Sequence, residues 1–306
     1  MPCLSRPGTP WGASRLERIM DTTRTPIVSS ATQQPIYGSD PHRRITMRDL
    51  QVATDKGERW PMVTSYDALS AGVFDDAGIP ALLVGDSAAM VVFGHETTIS
   101  VSVEELVMLV RAVVRGSKRA LVIADLPFGS YQASPAQALE TAVYFMQKGG
   151  AHAVKLEGGA AVLPQIELLA NSGISVIGHL GLTPQSVNLL GGYRVQGRGE
   201  SGETLLRDAK AMQAAGATAV VLELVPADLA ARVSEVLTIP TIGIGAGPHT
   251  DAQVIVWQDL VGLTAGPAPK FVKRYADLRT IMTEAVSDWA ADVASGAYPA
   301  DAHTYK

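Results

Sequence analysis

Cysteine is nearly absent: Cys3 is the one thiol in 306 residues. That excludes a disulfide framework and a thiolate-bound metal, and it suits a reducing compartment such as the cytoplasm. Long apolar runs are missing too. None approaches the roughly 20 residues needed to cross a bilayer, so the chain reads as soluble and without a membrane partner. Basic residues form no stripe, and with 25 Lys and Arg against 30 Asp and Glu the formal net charge is −5. A phosphate backbone needs a basic face, so no nucleic-acid partner is expected. What the chain does have is apolar mass: 47% hydrophobic residues against 18% charged ones, room for a large core and ordinary for one barrel-sized domain.

The first 42 residues differ from the rest. They hold six Pro, many Ser and Thr, and no helical apolar period. Such a composition cannot bury enough surface to offset ordering entropy, so a disordered extension is expected over 1–42. Its Arg, Ser and Thr content is similar to that of an organelle transit segment, but Glu17, Asp21 and Asp40 weigh against one, and the apolar core of a secretory signal is missing. A start at the in-frame Met20 is the simpler expectation, and an intact mass beginning at Met1 would reject it.

From Ile45 onward, short apolar runs alternate with helical patterns. Thr46 is a plausible N-cap for a first helix, and Gly78 fits the end of the helix that follows the first strand. Strands are expected over 61–66, 81–85, 120–125, 152–157, 174–180, 218–224 and 239–245, with helices over 101–116, 135–150, 162–173, 203–216 and 227–237 between them. The eighth strand is weaker, with VIVW (254–257) and LVGLT (260–264) both apolar candidates. Eight such units predict an α/β fold, a single-domain (β/α)8 TIM barrel over 43–303. An open doubly wound sheet is the alternative. In its favour, Gly197-Arg-Gly-Glu-Ser-Gly202 matches G-x-G-x-x-G, and an acid, Glu223, closes the next strand. The motif fails on context, because no strand leads directly into it; its glycines fit a folded loop over a barrel mouth instead.

Six of the apolar runs stop at residues that can do chemistry: LLVGDS at Asp86, LVIADLP at Asp125, AVKLEGG at Lys155 and Glu157, SVIGHLG at His179, VVLELVP at Glu223, and TIGIGAG at Gly245 and Gly247. In a barrel these ends converge on one rim. Hard carboxylates without Cys or clustered His prefer Mg²⁺ or a similar oxygen-loving ion. The bland readings are a helix cap for Asp86-Ser87 and a turn for Asp125-Leu-Pro. Lys155 and Glu157 lie two apart and so share a face. They form either an interior ion pair or a site in which Lys155 holds an anionic group, and the neighbouring acids argue against a Schiff base there. His179 is either hydrogen-bonded in the rim or a substrate contact. Glu223 sits inside an apolar strand, where a carboxyl is costly unless paired or used, and where burial favours a general base.

At these residues the chain resembles the ketopantoate hydroxymethyltransferase family. The strings that carry the resemblance are VTSYDALSAGVFDDAGI, LLVGDSAAMVVFGHETT, IADLPFGSY, AVKLEGG, GHLGLTPQSVNLLGGYRVQGR, VLELVP and IPTIGIGAG, in order and covering about residues 45 to 303. The segment LTAGPAPKF (263–271) and the N-terminal extension depart from the family's usual pattern. The resemblance implies a (β/α)8 barrel assembled as a homodecamer, with one Mg²⁺ per subunit. It implies transfer of a one-carbon unit from 5,10-methylenetetrahydrofolate to 3-methyl-2-oxobutanoate, giving 2-dehydropantoate on the way to pantothenate and coenzyme A. It also implies that Asp86, Asp125 and Glu157 hold the metal, that Asp86, Ser87, Asp125 and Lys155 bind the oxo acid, and that Glu223 accepts the proton. The chemistry agrees: an ion on the keto and carboxylate oxygens acidifies the neighbouring C–H, Glu223 removes that proton, and the metal-stabilised enolate attacks the donor's methylene.

Two rivals are separable. A carbon–carbon lyase or mutase of the phosphoenolpyruvate mutase and isocitrate lyase type usually needs a lid cysteine, and the core here has none. A non-catalytic ligand-binding barrel would have lost the strand-end acids, and all are present.

Overall fold

Eight parallel strands close on themselves in sequence order, β1 (Trp60–Thr64), β2 (Ala81–Val84), β3 (Leu121–Asp125), β4 (Ala153–Glu157), β5 (Val176–Gly181), β6 (Ala219–Glu223), β7 (Thr241–Ile244) and β8 (Ala252–Ile255). This computed structural model describes residues 43–305, so the expectations for residues 1–42 lie outside it. The barrel is the predicted one, and an open sheet is excluded by the β1–β8 pairing, with Trp60 opposite Ala252 and Val63 opposite Ile255. The eighth strand settles on 252–255. The rival segment 260–264 is not strand; a short helix, Trp257–Leu260, leads into it.

Alternation along each strand divides the apolar residues between two cores. One set points into the barrel and includes Met62, Leu83, Ile123, Ala153, Ile177, Val221, Ile242 and Val254. The other, including Leu82, Val122, Val154, Val176, Val220 and Leu222, packs outward against the helical ring. Helix α1 (Met47–Asp55) plugs the N-terminal end by inserting Met47, Leu50 and Ala53 beneath Trp60 and Met62. It starts where it does because Thr46 and Asp49 form a reciprocal capping box. Each fully buried aliphatic side chain of this kind contributes about 1.5–3 kcal/mol.

The ring helices are α2 (Ala68–Asp76), α3 (Ala88–Val91), α4 (Val103–Gly116), α5 (Pro135–Tyr144), α6 (Leu163–Asn171), α7 (Val187–Leu190), α8 (Glu200–Ala214) and α9 (Ala227–Val236), with α10 (Trp257–Leu260) after β8. Ser102 and Glu105 cap α4 as Thr46 and Asp49 cap α1, and α4 buries Leu106, Val107, Val110 and Val113 on one side. The helix expected over 135–150 is α5 continued by a π turn, Phe145–Gly149, that ends on left-handed Gly150.

One flank is bare. Pro61 of β1 and Gln253 of β8 are register partners on the outer face, and both are exposed. A cavity of about 780 Å³ opens there, lined by residues of β1, β8 and the segment Phe271–Tyr275, and it contains none of the candidate acids. The last helix, α11 (Leu278–Ser295), which the strand pattern did not anticipate, buries no residue at all.

Candidate active site

The chemical groups continue the barrel's interior files. Asp125 follows Ile123 by two positions, Lys155 follows Ala153 and precedes Glu157, His179 follows Ile177, and Glu223 follows Val221. Period two therefore turns all of them inward at the C-terminal mouth. Asp86 and Ser87 join them from the turn after β2. Gly85 makes this possible: a Cβ there would lie 2.8 Å from Ser87 Oγ and 3.3 Å from Asp125 Oδ2, so only glycine lets this turn approach β3 so closely.

All seven residues line one cavity of about 600 Å³, whose remaining wall includes Met90, Tyr193, Val195 and Phe271. Asp125 Oδ1 pairs with Lys155 Nζ at 2.9 Å, and its Oδ2 accepts from the Asp86 backbone N–H at 3.0 Å. His179 stands between two acids, Nδ1 at 3.3 Å from Glu157 Oε1 and Nε2 at 3.3 Å from Glu223 Oε2. Lys155 Nζ is also 3.3 Å from His179 Nδ1. Burial and Lys155 act to lower the imidazole pKa, but the bonds to Glu157 and Glu223 outweigh them and raise it to about 9. The two flanking carboxylates favour the protonated ring, while Lys155 Nζ lies beside Nδ1.

Burial acts to lower the Lys155 ammonium as well, and Asp125, Glu157 and Asp86 together reverse that, holding it above the usual lysine range. Asp86 goes the other way: burial, then Glu157 and Asp125, push it well above the usual carboxyl range. Asp125 is raised by burial despite Lys155. Glu157 lies below the usual range, because His179, Lys155 and the Gln185 backbone outweigh its burial.

The bland readings fail at two positions. Ser87 precedes α3 without a side-chain cap bond; its Oγ meets Tyr66 Oη at 2.8 Å. Asp125 spends both oxygens across strands, not in a turn. The glycines at 197–202 lead into α8 from a loop, with β5 ending earlier at Gly181, so no dinucleotide cradle forms.

The reading from sequence missed Gln185, Tyr131, Tyr66 and Tyr193. Gln185 donates from Nε2 to Asp86 Oδ2 at 2.9 Å, and its backbone N–H donates to Glu157 Oε2 at 3.0 Å. All four lie within strings that carried the resemblance, the one signal available.

A divalent cation fits this donor set by charge. Asp86, Asp125, Glu157 and Glu223 face Lys155 and His179, four acids against two cations, which leaves two negative charges to offset. Burial first, and then the neighbouring Glu157 and Asp125, make an ionised Asp86 costly at this position. Among the described residues, no three His, Cys, Asp or Glu side chains are gathered as a metal-binding group, since Asp125 is turned to Lys155 and Glu157 to His179.

Fold and mouth together define a (β/α)8 barrel with an acid-lined C-terminal site. Solved structures share that fold. Phosphonopyruvate hydrolase in complex with oxalate and Mg²⁺ matches at a TM-score of 0.56 and 13% identity, covering 86% of this chain and 92% of that one. For 2,3-dimethylmalate lyase, of the PEP mutase/isocitrate lyase superfamily, the values are 0.54 and 17%, with 85% and 91% covered. Sequence likeness is far stronger elsewhere. The 3-methyl-2-oxobutanoate hydroxymethyltransferase of Frankia alni is 59% identical over 291 residues, 93% of this chain and 96% of that protein. The protein of that name from Thermobifida fusca is 58% identical, over 91% of this chain and 100% of its own length. The family model for ketopantoate hydroxymethyltransferase matches residues 44–301, and the chain belongs to that family.

Proposed function

We propose that this chain is a 3-methyl-2-oxobutanoate hydroxymethyltransferase, the activity for which its relatives are named. The carrying observation is the convergence of Asp86, Asp125, Lys155, Glu157, His179 and Glu223 from five consecutive strands on one cavity. Lys155, buried and fully charged, attracts the carboxylate of the oxo acid, with Ser87 and the Asp86–Asp125 pair shaping the pocket beside it. Glu223 is the base. Its side chain is 16% exposed, against 3% for Asp125 and Glu157, so it reaches the cavity, with His179 Nε2 standing 3.3 Å from its Oε2. It takes the C3 proton, and the electron pair left on C3 forms the new bond to the methylene carbon of the donor, 5,10-methylenetetrahydrofolate. Water supplies the hydroxyl oxygen as both methylene–nitrogen bonds break, and tetrahydrofolate leaves with two protons on its nitrogens, one from C3 by way of Glu223 and one from the water.

Asp86, Asp125 and Glu157 would hold one Mg²⁺ per subunit, which supplies Lewis-acid polarisation of the keto group. The product, 2-dehydropantoate, belongs to pantothenate and coenzyme A synthesis. The fold likeness to the lyases and hydrolases, at 13–17% identity, carries no activity with it.

The cytoplasm is the proposed compartment, a reading that the single thiol supports. Self-association, with ten copies implied by the family resemblance, is supported by the bare β8–β1 flank and by α11. There Ile281, Ala285, Trp289 and Val293 recur every four residues, and Ile281 and Trp289 are 57% and 56% exposed. A second copy covering both would remove a large apolar surface from water.

The test is product formation: 2-dehydropantoate appears from the oxo acid and methylenetetrahydrofolate only with a divalent ion present. Full activity in EDTA contradicts the proposal.

A further inference from the structure

One residue, through its side chain and its backbone, joins acids that come from different strands. Gln185, buried in the loop after β5, uses every hydrogen-bonding position of its amide. Nε2 donates to Asp86 Oδ2 at 2.9 Å and to the Leu126 carbonyl at 3.0 Å, while Oε1 accepts from Tyr131 Oη at 2.7 Å and from Gln132 Nε2 at 3.0 Å. Acceptors on one side and donors on the other fix which end is nitrogen. Its backbone N–H donates to Glu157 Oε2 at 3.0 Å. Tyr131, also buried, closes the ring: its hydroxyl accepts from the Glu157 backbone N–H at 3.1 Å.

The consequence is a division of oxygens. Gln185 takes Asp86 Oδ2, and Asp86 Oδ1 has no partner among the described hydrogen bonds. The Asp86 carboxylate cannot swing onto Lys155 without breaking a fully satisfied amide, and Glu157 is held at backbone and side chain alike.

We propose that Gln185, locked by Tyr131, is a positioning residue that presents the Asp86 and Glu157 carboxylates to a divalent cation. This rests on the metal reading of the site given above. Groups behind metal ligands commonly govern affinity on the order of 10- to 100-fold, because a ligand that must first be oriented binds less well.

The experiment is a calorimetric titration of the full chain with Mn²⁺ alone, without substrates, with thermal melting run beside it. Gln185→Met keeps the length and the backbone N–H but removes the amide; Tyr131→Phe removes the hydroxyl. With melting temperatures near wild type, Gln185→Met is expected to bind Mn²⁺ on the order of 10- to 100-fold more weakly and Tyr131→Phe several-fold more weakly. The double variant should fall no further than Gln185→Met, since the two act as one chain. Unchanged affinity in Gln185→Met, or losses that simply add, overturn the inference. Should Gln185→Met not fold, Tyr131→Phe decides by the same criterion. A wild-type chain that takes up no Mn²⁺ fails the metal reading itself, a result distinct from equal binding by wild type and variants.

Discussion

Lys155 shows how closely charge is matched at the mouth. Its ammonium lies 2.9 Å from Asp125 in a pair that is about 95% buried on each side, so removing it strands a carboxylate away from water. Lys155→Met is expected to lower stability by about 3–5 kcal/mol, measurable by urea unfolding, and to weaken oxo-acid binding sharply. His152, at the opposite end of β4, sets a pH limit. Its Nδ1 accepts from the Val122 N–H at 3.1 Å, and burial together with Arg44 lowers its pKa to about 4 from 6.5. The unfolded chain therefore takes up a proton at this site near pH 6.5 and the folded chain only near pH 4. Stability from this group is complete above pH 6.5 and is lost as pH falls toward 4. Melting temperatures at pH 7.5 and pH 5 should fall further in wild type than in His152→Asn, the difference isolating this site from the acids. The strand-end groups were legible because period two is a local rule. Gln185 and Tyr131 were not, because the partners that give them a role lie 26 to 99 residues away in sequence.

At the scale of elements, the turn after β2 packs closely on the end of β3. Gly85→Ala places a methyl 2.8 Å from Ser87 Oγ and 3.3 Å from Asp125 Oδ2. Relief of that crowding is expected to cost about 1–3 kcal/mol and to weaken oxo-acid binding, checked by melting and by calorimetry. Seven strands could be placed from sequence within a residue or two, since each is a short apolar run bounded by turn residues. The eighth was ambiguous because 254–257 and 260–264 are both short apolar runs, and the pairing of β8 with β1 separates them. Helix α11 went unread although its four-residue apolar repeat was available, because a barrel argument ends at the last strand. Among the described residues, nothing buries that repeat.

For the whole molecule, the bare flank and the bare helix make one prediction about assembly. Light scattering should find a stable oligomer, and Ile281→Asp with Trp289→Ala should shift it to smaller species; a wild-type monomer at micromolar concentration contradicts self-association. The described residues contain no helix long and apolar enough to cross a membrane. The architecture was legible as a whole because eight repeats of one unit admit few closed arrangements, and the mouth followed from the architecture. The proposed activity depends on this mouth removing a proton from C3 of an oxo acid through Glu223. Deuterium exchange at C3 of 3-methyl-2-oxobutanoate, followed by NMR in D₂O with a divalent ion and no folate, measures that step alone. Exchange by wild type, with loss on the order of 100-fold or more in Glu223→Gln while oxo-acid binding persists, is the predicted result; undiminished exchange in Glu223→Gln contradicts it.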